Sequence, residues 1–101
     1  MIELRGYKED QFMRFQITIE VWKKGKWFIA KASELDFVSQ GRTFEEAKRN
    51  LLEVIKIQFR EMREMGTLEE YLSECGFEIK DDKLIPSTEM IGFEKLEVSA
   101  I

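Results

Sequence analysis

At Gly41 the hydrophobic period of the chain changes, and that change constrains the fold more than any other feature. Before it, Met13, Phe15, Ile17, Ile19 and Val21 alternate with Arg14, Gln16, Thr18, Glu20 and Trp22. That is the two-residue period of a half-buried strand. After it, Phe44, Ala47, Leu51, Val54, Ile55, Gln58, Phe59 and Met62 recur at helical spacing. A strand-forming half therefore meets a helix-forming half at one short joint.

The joint has its own signature. Thr43 stands three residues before Glu46, the spacing of a capping box. The threonine hydroxyl is expected to accept from the Glu46 amide, and the Glu46 carboxylate to reach back to the Thr43 amide. Glu45 and Glu46 also sit at the positive end of the helix dipole. The helix should run to Gly66, a rod of roughly 33 Å, long enough to cross a three-stranded sheet. A single glycine before a helix could also cradle a phosphate. Here two first-turn glutamates would repel an anion, and the multiple glycines and lysine of phosphate loops are missing. Gly41 is read as a joint.

On the strand side, Lys23–Lys26 is expected to turn the chain so that WFIAKA (Trp27 to Ala32) runs back. A four-residue turn would set Trp22 against Trp27, Val21 against Phe28 and Ile19 against Ala30. A three-residue turn would flip the second strand's faces. In the four-residue register Met13, Phe15, Ile17, Ile19, Val21, Phe28, Ala30 and Ala32 share one face. Thr18, Glu20, Trp22, Trp27, Ile29 and Lys31 share the other. A short third strand is expected at about Phe37–Gln40. Past Gly66, Thr67–Glu70 has the form of a second capping box opening a short helix around Tyr71–Cys75. FEIKDDKLIP then reads as two extended pieces joined at Asp81–Asp82 and ended by Pro86. Leu96, Val98 and Ala100 alternate with Lys95, Glu97 and Ser99, the pattern of a last strand. The fold class is α+β: an antiparallel sheet of three or more strands, a long helix across one face, a short second helix and C-terminal strands. Residues 1–101 are read as one domain.

Composition narrows function. Histidine is absent, which removes the commonest general base and metal ligand. Ser33, Ser39, Ser73 and Ser87 have no such base to activate them. Glu45–Glu46, Glu69–Glu70 and Asp81–Asp82 are adjacent in sequence, so their side chains diverge. Cys75 is the only cysteine; it has no companions for a metal site and reads as a small buried apolar group. No catalytic residue, metal ligand or cofactor is expected. A formal charge of −4 argues against direct nucleic-acid binding and suits a basic protein partner. No apolar run is long enough for a membrane span, and MIELRGYKEDQ is charged where a signal peptide is apolar. The expected compartment is the cytoplasm. Trp22, Trp27 and Ile29 form an apolar cluster on the face away from the long helix. Either the C-terminal segment covers it, or it serves a partner protein or a second copy.

The stretch from Phe15 to Leu52 resembles the HicB-like antitoxin family, and the matches fall in ASELDFVSQGRTFEEAKRNLLEVI. The matching positions are Leu35, Ser39, Gln40, Gly41, Thr43, Glu45, Glu46, Ala47, Asn50 and Leu51. Ser33 stands where many members have proline, and Asp36–Phe37 replaces a Pro-Gly type turn. The helix-turn-helix or ribbon-helix-helix module of many members is not recognised after Gly76. The resemblance implies a β-β-β-α unit likened to a truncated RNase H-like fold without its catalytic acids. It implies a non-enzymatic antitoxin that binds and occludes a small basic HicA-type RNA-cleaving toxin, and a homodimer or higher homo-oligomer. In that reading Gln40, Gly41, Thr43, Glu45, Glu46 and Ala47 are structural motif residues. The alternative is an orphan structural or small-ligand-binding module of the same fold with no toxin partner.

Overall fold

The alternating residues do pair as a hairpin. In the computed structural model, which describes residues 2–5, 12–81 and 83–100, β3 (Ile19–Lys24) and β4 (Trp27–Ala32) run antiparallel. β5 (Val38–Gly41) adds to the far edge of β4, giving the order β3-β4-β5. The turn between β3 and β4 is shorter than expected. It holds two residues, Gly25 and Lys26, with Gly25 at φ 61°, a conformation glycine adopts at little cost and a tight hairpin needs. Trp22 therefore stands opposite Ile29, Val21 opposite Ala30, and Ile19 opposite Ala32. The register differs from expectation by two residues, not one, so every side chain keeps its face.

The long first strand is not continuous. β2 (Phe12–Phe15) pairs with β1 (Ile2–Arg5) in a separate two-stranded sheet, and residues 16–18 carry no strand. The break has a local cause. The Thr18 amide donates to Glu34 Oε1 at 2.7 Å and its hydroxyl to Glu34 Oε2 at 2.9 Å. A carboxylate from the β4–β5 connection thus takes the donor that a neighbouring strand would have used. The side chains of Met13 and Phe15 lie outside the described part of the structure, as do residues 6–11.

α1 (Phe44–Met65) has the expected extent and packs across β5, β4 and β3. Ala47, Leu51, Ile55 and Phe59, at four-residue spacing, are buried against Ala30 and Ala32 of the sheet and Leu35 of the connection. Burying each large side chain contributes about 1.5–3 kcal/mol. At its end the Gly66 amide donates to the Arg63 carbonyl at 3.1 Å and the Thr67 amide to the Met62 carbonyl at 2.8 Å. This double bond pattern is the Schellman motif.

That motif overturns the second capping box. Thr67 is occupied in closing α1: its backbone is helical, its side chain caps nothing, and its hydroxyl lies 3.4 Å from the Met62 carbonyl. α2 (Leu68–Glu74) follows directly and adds Leu68 and Leu72 to the core. β6 (Phe77–Lys80) and β7 (Lys83–Pro86) form the expected hairpin, bringing in Phe77 and Leu84. Asp81 at its turn has φ 52°; Asp82 lies outside the described residues. The last expected strand, Leu96–Ala100, does not form: residues 89–100 carry no regular structure and are exposed throughout. The alternation is present, but no neighbouring strand supplies hydrogen-bond partners, and an unpaired strand is not stable in water.

Candidate interaction surface

The strand-to-helix joint is built as a close approach. A Cβ placed on Gly41 would lie 2.5 Å from the Ala47 amide nitrogen and 2.9 Å from Glu46 Cβ. The strand enters the first turn of α1 so tightly that only glycine fits. The Glu46 amide donates to Thr43 Oγ1 at 3.0 Å, as the capping box requires. The reciprocal contact shifts by one residue: Glu46 Oε1 accepts from the Arg42 amide at 3.3 Å, not from Thr43. Asn50 Nδ2 donates to the Gln40 carbonyl at 2.9 Å, tying the second turn of the helix to the strand. Glu45 pairs with Lys48 at 3.1 Å on the surface. Gln40, Gly41, Thr43, Glu46, Ala47 and Asn50 thus hold the joint together. Thr43 satisfies the Glu46 amide and Glu46 the Arg42 amide, and the Glu45 and Glu46 carboxylates stand in the first turn where an anion would have to approach.

The opposite side of the sheet is different in kind. Registers place Glu20, Trp22 and Lys24 of β3 beside Lys31, Ile29 and Trp27 of β4. Val38 and Gln40 of β5 continue the rows from Lys31 and Ile29. No described element packs there. Trp22 is 61% and Val38 57% exposed, and Trp27 is exposed as well, with Ile29 half-buried between them. The Arg42 guanidinium lies over the Trp27 ring at 5.7 Å from its centroid. The result is an apolar centre of four side chains set among Lys24, Lys31 and Arg42. The sequence places Trp22, Trp27 and Ile29 on this face correctly. It misses Val38, whose place follows from a strand register that a four-residue element cannot reveal alone. It misses Arg42 as well, since that residue lies just past the strand's end.

A second exposed feature is the 89–100 segment. Ile91 is 96% and Phe93 89% exposed, and Leu96 and Val98 are similarly open. Three glutamates, Glu89, Glu94 and Glu97, outnumber the single Lys95. Charge is divided along the chain: residues 68–101 hold nine acids against three bases, so the net negative charge resides there, while residues 1–67 carry a slight basic excess.

The remaining candidates are quieter. Tyr71 accepts from the Asp36 amide at 3.3 Å and donates toward Cys75. Burial, reinforced by that bond to Cys75, raises its pKa from 10.0 to about 12. Burial also pushes the Cys75 thiol up, away from the thiolate that reactivity requires. Cys75 is half-buried, less enclosed than its sequence context implies. Phe37 packs on both Tyr71 and Phe59, at 5.8 and 6.2 Å between ring centroids. This cluster fastens α2 to the β4–β5 connection. Ser33 donates to Glu20 Oε2 at 2.8 Å. Among the described residues no three acidic, cysteine or histidine side chains are placed to hold a metal ion. An open groove of about 650 Å³ lies between residues 16–18 and β7, lined by Ile17, Thr18, Glu34, Leu84, Pro86 and Met90 among others. No helix among the described residues is long and apolar enough to cross a membrane.

The geometry defines an α+β domain with one side of its sheet sealed and the other open. Comparison with protein-family models, curated proteins and solved structures finds no match in any of the three.

Proposed function

We propose that this chain is a non-enzymatic, cytoplasmic binding protein of the HicB-like antitoxin kind, which occludes a small basic HicA-type RNA-cleaving toxin. The observation that carries the reading is the 89–100 segment, acidic and studded with exposed Ile91, Phe93, Leu96 and Val98. A segment of that chemistry fits a basic protein surface. Its carboxylates, with those of α2, steer the encounter, and its apolar side chains hold the complex. The joint adds support, since residues of the antitoxin-like motif (Gln40, Gly41, Thr43, Glu46, Ala47 and Asn50) engage one another in building it.

Purification of the full chain from its native host, followed by mass spectrometry, tests this reading. The expected companion is a basic protein that slows growth when expressed alone. Growth should recover when the full chain is co-expressed, and fail to recover with a chain lacking 89–101. No basic companion, or equal rescue without the segment, would overturn it. The alternative, an orphan module that takes a small ligand, is favoured by the groove beside β7. It predicts no companion and no growth rescue.

A further inference from the structure

Two surfaces of this molecule lack a partner among the described residues, and they are complementary. The open sheet face presents Trp22, Trp27, Ile29 and Val38 among the cations Lys24, Lys31 and Arg42. The 89–100 segment presents Ile91, Phe93, Leu96 and Val98 among the anions Glu89, Glu94 and Glu97. We propose that the open face receives the 89–100 segment of a second copy of this chain, and that two copies exchange segments reciprocally.

Three observations support the match. The first is charge: a face that sets Lys24, Lys31 and Arg42 against one acid, Glu20, opposes a segment that sets Glu89, Glu94 and Glu97 against one base, Lys95. The second is pattern. Leu96, Val98 and Ala100 alternate with Lys95, Glu97 and Ser99, so residues 95–100, when extended, turn one apolar row toward a sheet and leave the polar row to solvent or to the cationic rim, while Ile91 and Phe93 fall on the opposite row. The segment has strand periodicity without a strand to pair with, and both β3 and β5 are edges of the sheet. The third is reach. Twelve extended residues span about 40 Å, enough to cross three strands spaced roughly 4.8 Å apart and run on beyond them. Within one chain the two surfaces do not meet, since both are exposed.

Exchange does not require a toxin. Where a toxin is bound, it and the second copy draw on the same segment, so the exchanged dimer is the toxin-free form.

Sedimentation and tryptophan fluorescence on the full chain test the proposal. The full chain should be a dimer, and deletion of 89–101 should give a monomer with red-shifted emission from Trp22 and Trp27. No described residue beyond Leu84 belongs to the buried core, so the shortened chain should keep its far-UV circular dichroism. Charge reversal supplies a second arm that leaves the segment in place. Lys24→Glu with Lys31→Glu, or separately Glu94→Lys with Glu97→Lys, should each weaken dimerisation at least tenfold, and mixing the two double variants should restore it. A full chain that stays monomeric at high concentration would overturn the proposal, as would a dimer that survives the deletion. Monomer whose emission shifts on deletion would assign the face to the chain's own segment, and monomer quenched by a single-stranded oligonucleotide would assign it to nucleic acid; either defeats exchange.

Discussion

The same three strands carry two faces of opposite character. Toward α1 the sheet offers Ile19, Val21, Phe28, Ala30 and Ala32, and the small alanines let Leu51, Ile55 and Phe59 sink to full burial. Away from α1 it offers Trp22, Trp27, Ile29 and Val38 to solvent, with cations around them. Both faces are apolar at the centre, so apolarity alone does not say which one folding uses. What separates them is the partner: the first has a helix delivered to it by a glycine joint, and the second has no element delivered to it among the described residues. An apolar face left open by every neighbouring element is a surface for another molecule.

The contrast can be broken most severely on the sealed side. Phe59→Ala should lower unfolding free energy by about 3–5 kcal/mol, read by urea denaturation, because this α1 side chain is buried in the core, with its ring against Phe37. Loss of under 1 kcal/mol would show that the two faces do not differ in the way described. Gly41→Ala should cost about 1–3 kcal/mol, since its methyl would press on the backbone of Ala47 and Glu46. An unchanged denaturation midpoint would mean the joint is looser than its 2.5 Å approach implies. Thr43→Ala should cost about 1 kcal/mol through the lost cap, with Thr43→Ser restoring most of it.

A smaller effect is expected from pH. The Tyr71 hydroxyl is neutral in folded and unfolded chains below pH 10, so its contribution is fully present there. Between pH 10 and about 12 the unfolded chain ionises first, and that stability is lost as pH rises. Tyr71→Phe should flatten the fall in melting temperature across this window; an identical slope in both proteins would remove Tyr71 as its source. The smallest effect should come from the open side. Trp22→Ala in the chain lacking 89–101 should change stability by no more than about 0.5 kcal/mol, because the side chain is already in water. A cost of several kcal/mol would show that the face is sealed after all.

Much of this was legible from residue order. Period two over Ile17–Ala32 assigned faces correctly, because side-chain alternation survives any even error in register. The Thr43–Glu46 spacing located the start of α1, since a capping hydroxyl acts within one turn. Where the reading failed, a competing contact decided. Glu34 claimed Thr18 and ended the strand there; closure of α1 claimed Thr67 and cancelled the second cap. The Leu96–Ala100 alternation was real, but a strand also needs a neighbour, and the described residues supply none. Of the open face, Trp22, Trp27 and Ile29 were readable, whereas Val38 and Arg42 joined them only through the β4–β5 register and the path of the chain into α1.

Local order by itself determined the helix, its cap, the glycine joint and the two faces of the hairpin. Each depends on contacts within a few residues or on a simple repeat. Only the tertiary structure decided which face would be sealed, where the first strand would break, and that an acidic, apolar segment would stand apart from a cationic, apolar sheet. Those outcomes depend on which distant groups arrive first at a shared donor or surface, and spacing along a chain does not record that.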